Sequence, residues 1–183
     1  MSVDDTVLVE RCLQGNEEGL RSLVQRYQGA VFGLCFRMLG HREDAEDVAQ
    51  DVFVRMYRSL HRWDATRPFR PWLLTIAANR CRTALEKRSR RPRPTEIVEH
   101  IAETDSPQTE LAEELQQALG QLREEYRECV ILFHHQELSL TEVAEILGCP
   151  PGTVKTWLHR ARKELADHLQ RRGVAPHACH ELP

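Results

Sequence analysis

Thr153, Lys155, Thr156, His159, Arg160 and Lys163 fall on one side of a helical segment that follows Gly148-Cys149-Pro150. Hydroxyls and cations at that spacing suit duplex DNA. Side chains near the start of such a helix reach major-groove base edges, while flanking cations and the first amides hold phosphates. Just upstream, Ser139-Leu-Thr-Glu142 reads as a capping box that opens a helix over Leu140–Leu147. Val143, Ala144 and Leu147 supply the apolar face of that first helix, and Val154, Leu158, Ala161 and Leu165 anchor the second. The segment has the proportions of a helix-turn-helix. A plain helical hairpin with a polar outer face shares much of this composition. The capping box, the glycine turn and the Thr/Lys/Arg-rich helix, all in register, favour DNA.

A second set of groups sits in the first half of the chain. Glu43, Asp44, Glu46, Asp47, Gln50 and Asp51 oppose an apolar stripe, with Asp44, Asp47 and Asp51 at i, i+3 and i+7 on one side. Compensation of a helix dipole explains Glu43 and Asp44 but not Asp51. A di-metal carboxylate site needs Glu-x-x-His pairs on facing helices, and the sequence has none. A basic protein partner is the better functional reading.

Next comes His61-Arg-Trp-Asp-Ala-Thr-Arg-Pro-Phe-Arg-Pro-Trp72, an aromatic and arginine-rich loop leading into a helix. Bases drawn out of a duplex need π surfaces to receive them and cations along the strand. The competing reading makes Trp63, Phe69 and Trp72 core residues, and Leu73-Leu74 favours that reading for Trp72. The helix ends in a basic run that holds Arg80, Arg82, Lys87, Arg88, Arg90, Arg91 and Arg93 against Glu86 alone. A solvated helix end whose cations suit the dipole has the same look.

The tail carries His177-Ala-Cys-His180. A thiolate and two imidazoles so close together can bind a transition metal or sense redox state, and a loose chain end is the alternative. No metal site is assigned; His177, Cys179 and His180 stand as its only candidates. Cys12, Cys35, Cys81, Cys129, Cys149 and Cys179 show no paired spacing, and neither Cys-x-x-Cys nor His-Glu-x-x-His occurs. Reduced thiols, mostly small core fillers, are expected.

These groups are positioned by helices nearly everywhere. Asn16 caps a helix through about Leu39, which Gly40 breaks. Further helices cover about Arg42–Leu60, Pro68–Leu85, a segment opened by Ser106-Pro107, Glu124–His135, Leu140–Leu147 and Pro151–Leu169. The expected fold class is all-α, two small bundles joined by a flexible linker.

Charge divides the chain in the same way. Residues 1–91 carry 16 Lys and Arg against 12 Asp and Glu, whereas residues 92–114 carry one against seven. The net charge of −3 hides this distribution. The domain reading is 1–91, an acidic linker 92–109, 110–171 for the helix-turn-helix unit, and a tail 172–183. With 183 residues and 41% apolar content, each unit can bury a core, which excludes whole-chain disorder. No stretch approaches the ~20 apolar residues of a membrane span. The acidic Met-Ser-Val-Asp-Asp start lacks an apolar signal region, so a cytoplasmic protein is expected.

Three segments together carry a resemblance. Asp44-Ala-Glu-Asp-Val-Ala-Gln-Asp-Val-Phe53, Pro68-Phe-Arg-Pro-Trp-Leu-Leu-Thr-Ile-Ala-Ala-Asn-Arg80 and Gly152-Thr-Val-Lys-Thr-Trp-Leu-His-Arg-Ala-Arg162 resemble signatures of the extracytoplasmic-function (ECF, group 4) sigma factors of bacterial RNA polymerase. The resemblance spans about residues 10–170. It implies sigma region 2 and sigma region 4, no catalytic residues, no cofactor, and core RNA polymerase, promoter DNA and an anti-sigma factor as partners. By motif position, Asp47, Gln50, Asp51 and Arg55 would contact the β′ clamp helices. Trp63, Phe69 and Asn79 would hold a flipped minus-ten base, and Arg80, Arg82, Lys87 and Arg88 would follow the DNA backbone. Thr153, Lys155, Thr156 and Arg160 would read the minus-thirty-five element, with the second unit docked on the β flap. The chain departs from the pattern at Thr83, where an acidic residue is common, and at Trp157, where a small or basic one is frequent. A helix-turn-helix repressor and a metal- or thiol-sensing helical protein are the rival classes.

Overall fold

The computed structural model of the chain describes residues 4–89 and 107–172. Two compact units, Met1–Thr95 and Glu96–Pro183, make up the chain. The described residues are helical and contain no strand.

The first unit begins with α1 (Asp5–Leu13), a helix that sequence reading did not place. Asp4 caps it by accepting from the Thr6 amide, and Leu8, Val9 and Cys12 form its buried edge. Helix α2 (Glu17–Leu39) starts at Asn16, whose side chain accepts from the Gly19 amide at 3.1 Å, and ends at Gly40. The first two helices approach closely at Gly19. A Cβ there would meet the Arg11 Cβ at 2.9 Å and the Leu8 carbonyl oxygen at 3.1 Å, so only glycine fits.

Helix α3 (Arg42–Ser59) buries Ala45, Ala49, Val52 and Met56, one stripe of a 3.6-residue period. Its last turn tightens into a 3₁₀ turn, Leu60–Arg62, rather than running on as α-helix to Leu60. Helix α4 (Phe69–Ser89) buries Phe69, Leu73, Leu74, Ala77, Ala78 and Cys81. It packs on α2 and α3, and α1 packs on α2 and on the 3₁₀ turn.

The second unit opens with α5 (Pro107–Gln121), so helix begins just before the boundary read from charge. Helix α6 (Glu124–Val130) runs into a π-helical turn, Ile131–His135. There the Gln136 amide reaches back to the Ile131 carbonyl at 2.9 Å. Gln136 is fully buried, and Glu137 exits the turn at φ +53°. Helix α7 (Leu140–Leu147) carries the capping box expected of Ser139 and Glu142, with both reciprocal bonds present. Gly148, at φ +65°, makes the left-handed step into the turn. Helix α8 (Pro151–Arg171) begins with proline in its first turn, where no amide donor is missed. Leu119, Leu122, Tyr126 and Ala161 form a core cluster against which Val130, Trp157 and Leu165 pack.

Cys12, Cys35, Cys81 and Cys129 are buried and Cys149 is half-buried, none of them in a disulfide, as expected of core fillers. Among the described residues, no group of three His, Cys, Asp or Glu side chains could hold a metal ion. His177, Cys179 and His180 lie outside the described residues, as do Arg90, Arg91 and Arg93 of the basic run. No helix of the described residues is long and apolar enough to cross a membrane.

Candidate nucleic-acid interface

On α3 the acidic face divides into two kinds of residue. Asp47 and Gln50 are exposed. Asp51 is not free in the same sense: its Oδ2 accepts from Arg55 Nε at 3.0 Å and from Arg80 Nε of α4 at 2.5 Å. Partial burial pushes the Asp51 carboxyl up, but the Arg55 and Arg80 guanidiniums outweigh it and hold the group below its ordinary value. Two residues expected on the polymerase and one expected on DNA therefore meet in one cluster within this unit.

The loop from Trp63 to Pro68 is built on Asp64, whose Oδ1 accepts from the Thr66 amide at 2.9 Å and from the Thr66 hydroxyl at 2.8 Å. These bonds hold the Asp64 carboxyl below its ordinary value. This is an Asx turn, and it delivers the chain into α4. Phe69, the first residue of α4, is 2% exposed and lies among Tyr27 (5.3 Å between ring centroids), Trp63 (5.3 Å) and Trp72 (5.4 Å). The Phe69 ring is thus enclosed by three aromatics and anchors the loop expected to receive a base. Trp63 and Trp72 are half-buried and retain some open surface.

Farther along α4, Asn79 and Lys87 are exposed, and Arg80, Arg82 and Arg88 are half-buried. Arg88 is occupied at a corner of the unit. One nitrogen donates to the Leu39 carbonyl at the end of α2 (3.2 Å), another meets His41 Nε2, and Asp44 lies 3.6 Å away. A cation there satisfies a carbonyl left open by the helix end and suits its dipole. Asn79 and Lys87 are the open positions among the residues expected to face the melted strand.

In the second unit, Val143, Ala144 and Ile146 of α7 and Val154, Leu158 and Ala161 of α8 are buried. Ile146, not Leu147, completes the apolar face of α7, and Leu147 is half-buried. Lys155, Thr156, His159, Arg160 and Lys163 are exposed on α8, and Thr153 is half-buried near its start. The Thr156 hydroxyl bonds back to the Gly152 carbonyl at 3.0 Å. Arg160 donates to the Tyr126 hydroxyl at 3.4 Å, and the Arg123 guanidinium sits over the same ring at 5.4 Å. Trp157 turns its ring onto the core cluster, so the departure from the family pattern fills space between helices.

Sequence reasoning missed Tyr126, a buried aromatic whose only linear signal is helical periodicity.

Residues 23–91 match the family model described as Sigma-70 region 2, and residues 112–165 match Sigma-70, region 4. The ECF RNA polymerase sigma factor SigW of Bacillus subtilis (strain 168) is 32% identical over 181 residues, covering 88% of this chain and 95% of that protein. A solved structure of CnrH in complex with the cytosolic domain of CnrY is 30% identical, with a TM-score of 0.71 over 91% of this chain and 97% of that one. The sigma factor RpoE of Bartonella quintana, solved with the anti-sigma factor NepR, shares the fold. It is 23% identical, with a TM-score of 0.68 over 82% of this chain and 96% of that chain.

Proposed function

This chain belongs to the ECF sigma-70 factors, and we propose that it joins core RNA polymerase and carries it to promoters by splitting the work between its two helical units. The first unit grips the enzyme and opens the minus-ten element. The second reads the minus-thirty-five duplex.

The observation that carries this reading is the side-by-side placement of open and occupied groups in each unit. On α3, Asp47 and Gln50 are exposed where a basic protein surface can meet them. On α4, Asn79 is exposed in the same unit as the half-buried Trp63, two of the groups assigned to a flipped base. Unstacking a base costs a few kcal/mol, and π contact with amide hydrogen bonding at those positions offsets it. Lys87 adds an exposed cation for the strand backbone, as do Arg80 and Arg82 once the complex forms. In the second unit, Thr153, Lys155, Thr156 and Arg160 of α8 approach the major groove. Promoter affinity then falls steeply with salt, because cation contacts release counterions from the DNA.

The chain supplies no catalytic group in this scheme; phosphodiester chemistry belongs to the core enzyme, and the work is done in the cytoplasm. An anti-sigma factor is the expected antagonist, and the CnrH complex with the cytosolic domain of CnrY supports a protein partner of this kind. Release from that partner makes transcription responsive to stress or another signal.

In vitro transcription with purified core polymerase tests the reading. Adding the chain should convert core enzyme into one that starts RNA at defined upstream-directed sites. A helix-turn-helix repressor would bind duplex DNA without core enzyme and start nothing. Failure to co-elute with core polymerase, or start sites that do not change on its addition, defeats the proposal.

A further inference from the structure

Helix α1 precedes the matched region 2 segment, which begins at residue 23. Its first residue, Asp5, receives two donors from α2. Tyr27 donates its hydroxyl to Asp5 Oδ2 at 2.5 Å, and Arg26 Nη1 meets Asp5 Oδ1 at 2.5 Å. The Tyr27 ring, 7% exposed, lies 5.3 Å from Phe69 at a 48° tilt. Phe69 in turn meets Trp63 edge to face, at 5.3 Å and 84°. The same helix packs against the 3₁₀ turn Leu60–Arg62, which leads directly into Trp63. Helix α1 therefore braces Trp63 from two sides, the backbone through the turn and the ring through Tyr27 and Phe69 in tilted and edge-to-face contact.

The seat of Trp63 is apolar packing. Its indole Nε1–H is buried and meets no acceptor among the described residues, so no polar bond of the indole fixes the ring direction. What fixes it is the plane of Phe69, and what fixes Phe69 is Tyr27 and Trp72 beside it. Burial and the Asp5 hydrogen bond hold the Tyr27 phenol well above its ordinary value, so the O–H donor persists at neutral pH.

We propose that Asp5 and Tyr27 are positioning residues for minus-ten opening: through Phe69 they aim the Trp63 ring at the base that leaves the duplex. This rests on the reading of the chain as a promoter-opening subunit. Neither residue touches DNA. Their contribution is to keep the receiving surface in place before the base arrives, so that no ordering cost falls on the opening step.

The test uses holoenzyme assembled from core polymerase and the full chain, on a promoter taken from start sites mapped after overexpression. Initial promoter binding is measured separately from opening, which is followed by permanganate reactivity of minus-ten thymines. Tyr27→Phe removes one oxygen and keeps the ring, so the core remains filled. Tyr27→Phe and Asp5→Ala should each slow opening about fivefold, the worth of one net hydrogen bond. Core affinity and initial binding should stay at wild-type values. Asp5→Asn keeps a carbonyl to accept the Tyr27 proton and should recover most of the rate. Wild-type opening rates in both Tyr27→Phe and Asp5→Ala overturn the proposal. So does a loss shared equally by opening, initial binding and core affinity, the mark of a merely structural role. A wild-type holoenzyme that makes no promoter-directed RNA overturns the underlying reading instead.

Discussion

Asp51 and Arg80 tie α3 to α4 through a 2.5 Å contact between Oδ2 and Nε, across 29 residues of sequence. Arg55 joins the same oxygen at 3.0 Å. The contact links the helix expected to grip polymerase with the helix expected to hold the melted strand. Arg80 can follow a DNA backbone only by sharing or leaving this carboxylate. Asp51 can meet a partner only on the oxygen that the two guanidiniums leave open.

Asp51→Ala should lower the stability of the first unit. The carboxylate side chain is 37% exposed and that of Arg80 22%, so solvent screening limits the loss to about 1 kcal/mol. Because the folded carboxyl is held below its ordinary value, its stabilisation is present above the unfolded value, about 3.9. It is lost as pH falls through the lower folded value. Urea unfolding of wild type and variant should show a gap at pH 7 that is smaller at a pH below the ordinary carboxylate range. An equal gap at both pH values would assign the loss to packing.

Asp47→Ala and Gln50→Ala address the polymerase contact more cleanly, because both side chains are exposed. Thermal unfolding should shift by no more than about 0.5 kcal/mol equivalent, the usual range for surface positions. Affinity for core polymerase should fall at least about fivefold for the pair, given the worth of charge-assisted contacts. A double variant that binds core enzyme as wild type does would remove these residues from the interface.

The parts legible in the sequence were those with local causes. Ser139 and Glu142 announced a capping box three residues apart, and Gly148 and Pro151 marked the turn and the next helix start. Each signal rests on one turn of chain. Helix α1 escaped notice because it offers only Leu8, Val9 and Cys12 as a buried edge, beside exposed Val7 and Leu13 that blur the stripe. The π-helical turn depends on buried Gln136, whose seat is set by packing rather than by periodicity. The pairing of Asp51 with Arg80 and of Arg88 with the Leu39 carbonyl was equally hidden, since these partners lie 29 and 49 residues apart. Composition marks such groups as charged but not as already paired.

Asn79→Ala should impair opening without touching recruitment. The side chain is exposed on α4, so its removal leaves the core of the unit intact. Permanganate reactivity at the minus-ten element should fall several-fold, about the worth of one or two hydrogen bonds to a base, with core affinity unchanged. Undiminished reactivity would contradict a base-holding role.

Glu137→Gly should stabilise the second unit. Glu137 sits at φ +53°, a left-handed backbone that costs a side-chain-bearing residue about 1 kcal/mol or more. Glycine removes that cost and returns part of it as greater freedom of the unfolded chain, for a net gain of about 0.5 kcal/mol. Chemical denaturation should show a higher midpoint with unchanged slope. A lower midpoint would mean that the Glu137 side chain makes contacts worth more than the strain.

Arg160 and Tyr126 provide the sharpest separation of reading from packing in the second unit. Arg160 is exposed on α8 and donates to the hydroxyl of Tyr126, which is 4% exposed in the core cluster. Arg160→Ala removes the group assigned to the minus-thirty-five element. It should reduce preference for the intact element over a scrambled one about tenfold, the low end of one good side-chain–base pairing. Tyr126→Phe keeps the ring in the core and deletes only the oxygen that orients the guanidinium. It should produce a smaller loss of the same preference while the unit melts at nearly the wild-type temperature. Binding to promoter fragments with intact and scrambled upstream elements reads both variants on one scale. If Arg160→Ala retains full preference, base reading belongs to Thr153, Lys155 and Thr156 alone; if only Tyr126→Phe is silent, Arg160 finds its direction from the DNA itself.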